Sequence, residues 1–185
     1  MGAVQFRLSR ENIQSLFTRQ RLNSFVKNGV VGARVYKKPI TGLFHGLIFW
    51  GMFLLLIGTT LVIFDIVLGL EVLSGGFYKY FMALVLDAAG LAVLIGVLFL
   101  LIRRLIQYPR LSTPKPRSGF VLMEILLLAV VITGFLVEAM RIDLAQAQET
   151  AFVGQLTAEL LKPWFIGQSG YIGFWWLHGV LALSF

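Results

Sequence analysis

Residues 40–70 read ITGLFHGLIFWGMFLLLIGTTLVIFDIVLGL, 31 positions in which His45 and Asp65 are the only ionisable side chains. A helix rises 1.5 Å per residue, so about 20 apolar residues cross the roughly 30 Å of bilayer hydrocarbon. Only a helix lets one such segment satisfy its own backbone hydrogen bonds there. Two more blocks pass the same test: YFMALVLDAAGLAVLIGVLFLLI over 80–102 and GFVLMEILLLAVVITGFLVEAM over 119–140. A fourth, YIGFWWLHGVLALSF, starts at Tyr171 and reaches Phe185 after 15 residues, so it is expected to continue beyond the sequence in hand. The expected fold class is an all-α integral membrane protein of four transmembrane helices. They lie at 40–70, 80–106, 118–140 and 171–185, the last incomplete.

Composition agrees. Hydrophobic residues make up 58% of the 185 and charged residues 14%, with a mean hydropathy of +0.84. Soluble domains average about 45–50% apolar and about 25% charged. There is no cysteine, so the chain supplies no disulfide, iron–sulfur ligand or thiol chemistry. The net charge of +7 reads as topology and not as an affinity for nucleic acid, because its placement is one-sided. Eight Lys/Arg precede the first block and five (Arg103, Arg104, Arg110, Lys115, Arg117) separate the second from the third. Thus 13 of the 16 share one side. By the positive-inside rule that side, with the N-terminus, is cytoplasmic. A secretory signal is argued against by an apolar block that begins only near Leu43.

The basic segment 1–39 contains FRLSRENIQSLFTRQRLNSFVKN (6–28), with Ile13, Leu16, Phe17 and Phe25 spaced among cations. That pattern suits a helix lying on the inner membrane surface or one docking on a partner subunit. The connection 142–170 holds DLAQAQETAFVGQLTAELLKPWF, an amphipathic stretch at the outer interface with Trp164 and Phe165 as anchors.

Both histidines fall inside expected spans, where ionisable groups usually face the bundle interior and mark a site. His45 has Gly42 one turn before it and Gly46 beside it; His178 follows Phe174, Trp175 and Trp176 and precedes Gly179. Small neighbours leave room for a flat macrocycle, and neutral imidazole is an axial ligand of haem iron. Two alternatives stand beside this: one interhelical hydrogen bond per histidine, or a hydrogen bond to a quinone. Counting from the span ends, His45 lies about 7 Å deep from the inner face and His178 about 10 Å deep from the outer one. They therefore sit on different levels, and a partner for His45 is expected beyond Phe185.

Four more polar residues qualify as a quinone or proton site. Glu124 near the inner end of the third span suits a proton relay or a bond to a neighbouring helix. Asp87 suits a quinone or a haem propionate neighbourhood, or a bond to Thr59 or Thr60. Glu138 and Arg141, three apart, share a helix face and suit a structural pair or a quinone-binding pair. Arg103 and Arg104 read as snorkelling anchors or as holders of a propionate. Gly42, Gly46, Gly58, Gly90, Gly96 and Gly134 mark close helix packing or cofactor clearance.

The stretches RVYKKPITGLFHGLIFWGMFLLLIGT, ITGFLVEAMRI and WWLHGVLALSF resemble the membrane domain of the nitrate-reductase gamma-subunit type. The likeness covers roughly Arg34 to Phe185. It is strongest to the version fused to heterodisulfide-reductase-related iron–sulfur modules, as in electron-transfer-flavoprotein:menaquinone oxidoreductases. The resemblance implies a cytochrome b with one or two haems b, His45 and His178 on iron, and menaquinone as substrate. It also implies a cytoplasmic iron–sulfur or flavoprotein partner within a larger complex of a prokaryotic cytoplasmic membrane. Iron–sulfur clusters would belong to the partner or to a missing C-terminal part. In that pattern a second histidine on the last helix pairs with the one matching His45, and another follows ten residues after it; here that position is Leu55. The rival reading, from another class, is a haem-free anchor or assembly subunit. A transporter would need polar lining and interrupted helices, which the sequence lacks.

Overall fold

A computed structural model describes residues 39–69, 75–107, 118–145, 150–165 and 167–184, together with Asn23. The chain divides into two units, Met1–Leu43 and Phe44–Phe185. Apart from Asn23 and Pro39, the basic segment 1–39 lies outside the described residues, and with it the surface helix expected there. Among the described residues all regular structure is helical: α1 Pro39–Leu68, α2 Leu86–Gln107, α3 Ser118–Ala145, α4 Phe152–Leu161 and α5 Gly167–Ser184. A single turn at Gly75–Phe77 and a π-helical segment, Tyr78–Val85, lead into α2.

Three helical stretches, Pro39–Asp65, Gly75–Ile106 and Gly119–Ala145, are long and apolar enough to cross a membrane. The chain is therefore a multi-pass membrane protein, with helices as its regular structure throughout the described residues. The large apolar side chains that cover these helices, among them Leu43, Phe53, Leu56, Val67, Ile102 and Leu122, are exposed. A soluble bundle would turn such residues inward; here the lipid is their solvent. α5, at 18 residues, starts at Gly167, four residues before the expected Tyr171. It is not among the stretches that qualify as spans.

Element ends follow local chemistry. α1 stops at Leu68 because Gly69 takes a left-handed conformation (φ 61°) and its N–H closes on the Asp65 carbonyl at 3.0 Å. A Cβ resists that conformation. α3 runs on to Ala145, five residues beyond the apolar block that ends at Met140. It can do so because its polar last turns find ionic partners: Arg141 pairs with Glu138, and Asp143 with Lys162 at 3.5 Å.

α1 and α2 run antiparallel at close range. A Cβ on Gly51 would lie 2.8 Å from the Ala89 carbonyl oxygen, and one on Gly96 would lie 2.9 Å from that of Phe44. Each helix thus presents a glycine to the other's backbone, the small-residue packing that membrane helices use. Val93, Val97, Leu127 and Val131 form a buried core with Ile48, Met52, Leu55, Leu94, Leu128 and Phe135 around it, joining α1, α2 and α3. A second cluster of Ala83, Ala139, Ile142, Ala151 and Ala158, with Phe165 against it, joins the π-helical segment, α3 and α4.

Candidate functional site

His178 projects from α5 onto α3. Its Nδ1 lies 3.1 Å from Thr133 Oγ1. The next α3 residue, Gly134, leaves the space the imidazole occupies: a Cβ there would sit 3.2 Å from His178 Cε1. Thr133 is buried and His178 half-buried. The Thr133 hydroxyl also faces two carbonyls of its own helix, Ala129 at 2.8 Å and Val130 at 3.0 Å. The interhelical hydrogen bond weighed from sequence is therefore present, and it engages one ring nitrogen.

His45 is placed differently. It is exposed, and it makes no hydrogen bond or ion pair among the described residues. The residue before it, Phe44, stacks on Phe99 of α2 with ring centroids 3.6 Å apart. Phe135, one residue beyond the Thr133–Gly134 seat of His178, fills the notch at Gly90 of the same helix. Nine positions of α2 separate Gly90 from Phe99, about 13 Å along the axis. The two histidines thus occupy different levels of the bundle and are not brought together.

The four acidic and basic candidates divide between the two ends of α3. At one end Glu124 Oε1 accepts from Arg104 Nη2 at 2.7 Å, and the Arg104 guanidinium lies 5.6 Å from the Phe120 ring centroid. Glu124 Oε2 is buried with no hydrogen-bond partner among the described residues. At the other end Arg141 grips Glu138 with two bonds, Nε to Oε2 at 3.1 Å and Nη2 to Oε1 at 2.9 Å, and faces the Tyr78 ring at 5.6 Å. This is the structural pair that their spacing offered.

Asp87 does something not anticipated in the sequence. Its Oδ2 accepts from Val153 N–H at 2.6 Å and its Oδ1 from Gly154 N–H at 3.1 Å. These N–H groups of the first turn of α4 have no intrahelical acceptor, and its own N-cap, Ala151, has no capping side chain to offer. Thr59 and Thr60, the alternative partners, bond instead to Leu55 and Leu56 carbonyls in α1. Gly154 is held between the acidic pair: its N–H bonds Asp87, and a Cβ would lie 2.9 Å from Glu138 Cγ. Thr133 was also missed. A threonine amid LLLAVVITGF is a visible irregularity, but only the α3–α5 register shows that it meets His178.

Among the described residues no three His, Asp or Glu side chains converge as a metal centre of protein ligands alone requires. A haem asks for less, one or two axial donors. His178 fits that demand: among the described residues only its Nδ1 has a hydrogen-bond partner, and Gly134 keeps α3 clear of the ring.

The fold and site define a multi-pass helical membrane protein with a histidine seated between two helices. No family model matches the chain, and no solved structure does. Over 181 residues it is 29% identical to a protein named EtfAB:quinone oxidoreductase from Syntrophomonas wolfei subsp. wolfei (strain DSM 2245B / Goettingen). That alignment covers 90% of this chain and 25% of the relative, so the chain spans about a quarter of its length.

Proposed function

We propose that this chain is the cytochrome b membrane part of a quinone-linked oxidoreductase, passing electrons between a menaquinone-type pool and a cytoplasmic iron–sulfur or flavoprotein carrier. The observation that carries this reading is the alignment along 90% of the chain with a relative named EtfAB:quinone oxidoreductase. In this reading α5 is a fourth transmembrane helix, the N-terminus is cytoplasmic, and the membrane is a prokaryotic inner membrane.

His178 and His45 would hold the iron of one or two haems b, which supply one-electron redox chemistry when bound. The chain's own residues position and insulate. Thr133 and Gly134 seat the His178 ring, and Phe44 with Phe99 packs the level of His45. Glu124, with one carboxylate oxygen on Arg104 and the other without a partner among the described residues, suits a group that takes or gives a proton beside a quinone. Arg104 holds that carboxylate in place. Asp87, Glu138 and Arg141 dock α4 at the opposite end and shape whatever binds there.

A second reading, a haem-free anchor subunit, has one observation in its favour: the Thr133–His178 bond is what a merely structural histidine would make. A dithionite-reduced minus oxidised spectrum of the purified protein in detergent separates the two. The cytochrome reading expects a b-type α-band that falls in His45→Ala, His178→Ala or both. A flat spectrum from folded, full-length protein, or a band untouched by both substitutions, refutes it.

A further inference from the structure

The bond between Thr133 and His178 has a direction, and the direction matters for which nitrogen is left to bind iron. A hydroxyl carries one proton. Thr133 Oγ1 lies 2.8 Å from the Ala129 carbonyl and 3.0 Å from that of Val130. Neither oxygen can donate, and a hydroxyl proton given to its own helix is the usual arrangement for threonine inside a helix. The oxygen then faces His178 Nδ1 at 3.1 Å with only lone pairs. In that arrangement the donor is the imidazole. With the proton on Nδ1, neutral His178 carries its free lone pair on Nε2.

From this geometry we infer that Thr133 is a positioning residue: it fixes the Nδ1–H tautomer of His178 and so presents Nε2 as the metal-binding nitrogen. The inference rests on the reading of His178 as an iron ligand. Gly134 completes the seat, because any side chain there would meet the ring at Cε1, the atom between the two nitrogens. Outer partners of this kind fix ring orientation and raise ligand basicity. Thr133 does so without adding a charge to the interior, which a carboxylate in its place would.

Two measurements test it. The chain holds only two histidines, so 15N-histidine labelling of the haem-free full chain in detergent, with His45→Ala to assign the signals, reads the His178 tautomer directly. Nδ1–H is expected; Nε2–H would overturn the inference whatever the haem spectrum shows. Haem titration of Thr133→Val, an isosteric change, should then show binding weakened roughly 10- to 100-fold. Thr133→Ser, which keeps the hydroxyl, should restore it. If His178→Ala abolishes the haem band but Thr133→Val binds haem as the parent does, the positioning role is wrong and the ligand reading stands. If His178→Ala leaves the band intact, the ligand reading itself fails.

Discussion

Asp87→Ala should detach α4 at its first turn. Asp87 is 6% exposed, and its two oxygens take the N–H groups of Val153 and Gly154 at 2.6 and 3.1 Å. Ordinary N-cap deletions cost about 0.5–2 kcal/mol. Hydrogen bonds to charged groups contribute about 1.5–3 kcal/mol each, and a buried donor left unpaired adds its own penalty. With Ala151 unable to substitute, the loss should reach about 2–4 kcal/mol at this site. Because tenfold in an equilibrium is about 1.4 kcal/mol, amide hydrogen exchange in the first turns of α4 should quicken roughly 30- to 700-fold. Amides around Val93 and Val97, in the other core cluster, should be unchanged. Asp87→Asn keeps one acceptor but turns a donor toward the other N–H, so it should recover only part. The assay is hydrogen–deuterium exchange by mass spectrometry on the detergent-purified chain. Exchange of α4 within threefold of the parent in Asp87→Ala would refute the capping role.

Two further substitutions probe the packing. Gly51→Ala puts a methyl 2.5 Å from Val93 Cγ2 and 2.8 Å from a backbone carbonyl. It should lower thermal stability by about 1–3 kcal/mol, while Gly173→Ala, with nothing within 4 Å, should be neutral or slightly stabilising in the same thermal unfolding measurement. Arg104→Ala removes the one side-chain hydrogen bond that a largely buried Glu124 makes among the described residues and should cost about 1–3 kcal/mol, the value for a buried pair discounted because the Arg104 side chain is 31% exposed. Glu124→Gln retains an acceptor for Arg104 and should cost less; equal melting temperatures would contradict the pairing.

The spans were legible because hydropathy over 20 residues is a local, additive property. Ile40–Leu70 as an apolar block and Pro39–Leu68 as a helix nearly coincide, and Gly69 accounts for the difference. α3 runs five residues past the apolar block for a physical reason: hydropathy marks where a membrane segment becomes polar, not where a helix stops. Arg141 and Asp143 lie past the apolar block yet stay helical on ionic partners, one of them, Lys162, 19 residues away. The Glu138–Arg141 pair could be read at sequence level because i,i+3 neighbours share a face. The Asp87 cap could not, since its donors lie 66 and 67 residues along the chain. The same holds for Arg104 with Glu124 and for Thr133 with His178. Each needs the register between two helices, which a single sequence does not carry.

The two histidines divide the functional question more sharply than either does alone. His178 has a partner on α3, so an anchor subunit explains it without any cofactor, and His178→Ala should then cost about 0.5–1.5 kcal/mol, the worth of one hydrogen bond. His45 has no such partner among the described residues, and it is exposed, as are Phe49, Trp50 and Phe53 of the same helix. A polar side chain on a membrane helix is a cost that an anchor keeps only where it bonds a neighbour. The anchor reading therefore expects His45→Ala to be neutral or stabilising in every assay. The cytochrome reading expects haem content to drop in His45→Ala while the stability of the haem-free chain stays the same. Haem content by pyridine haemochrome and thermal unfolding of the haem-free protein, measured on this one variant, decide between them. Unchanged haem content in His45→Ala would remove His45 from the ligand set and leave His178 as the chain's only histidine for iron.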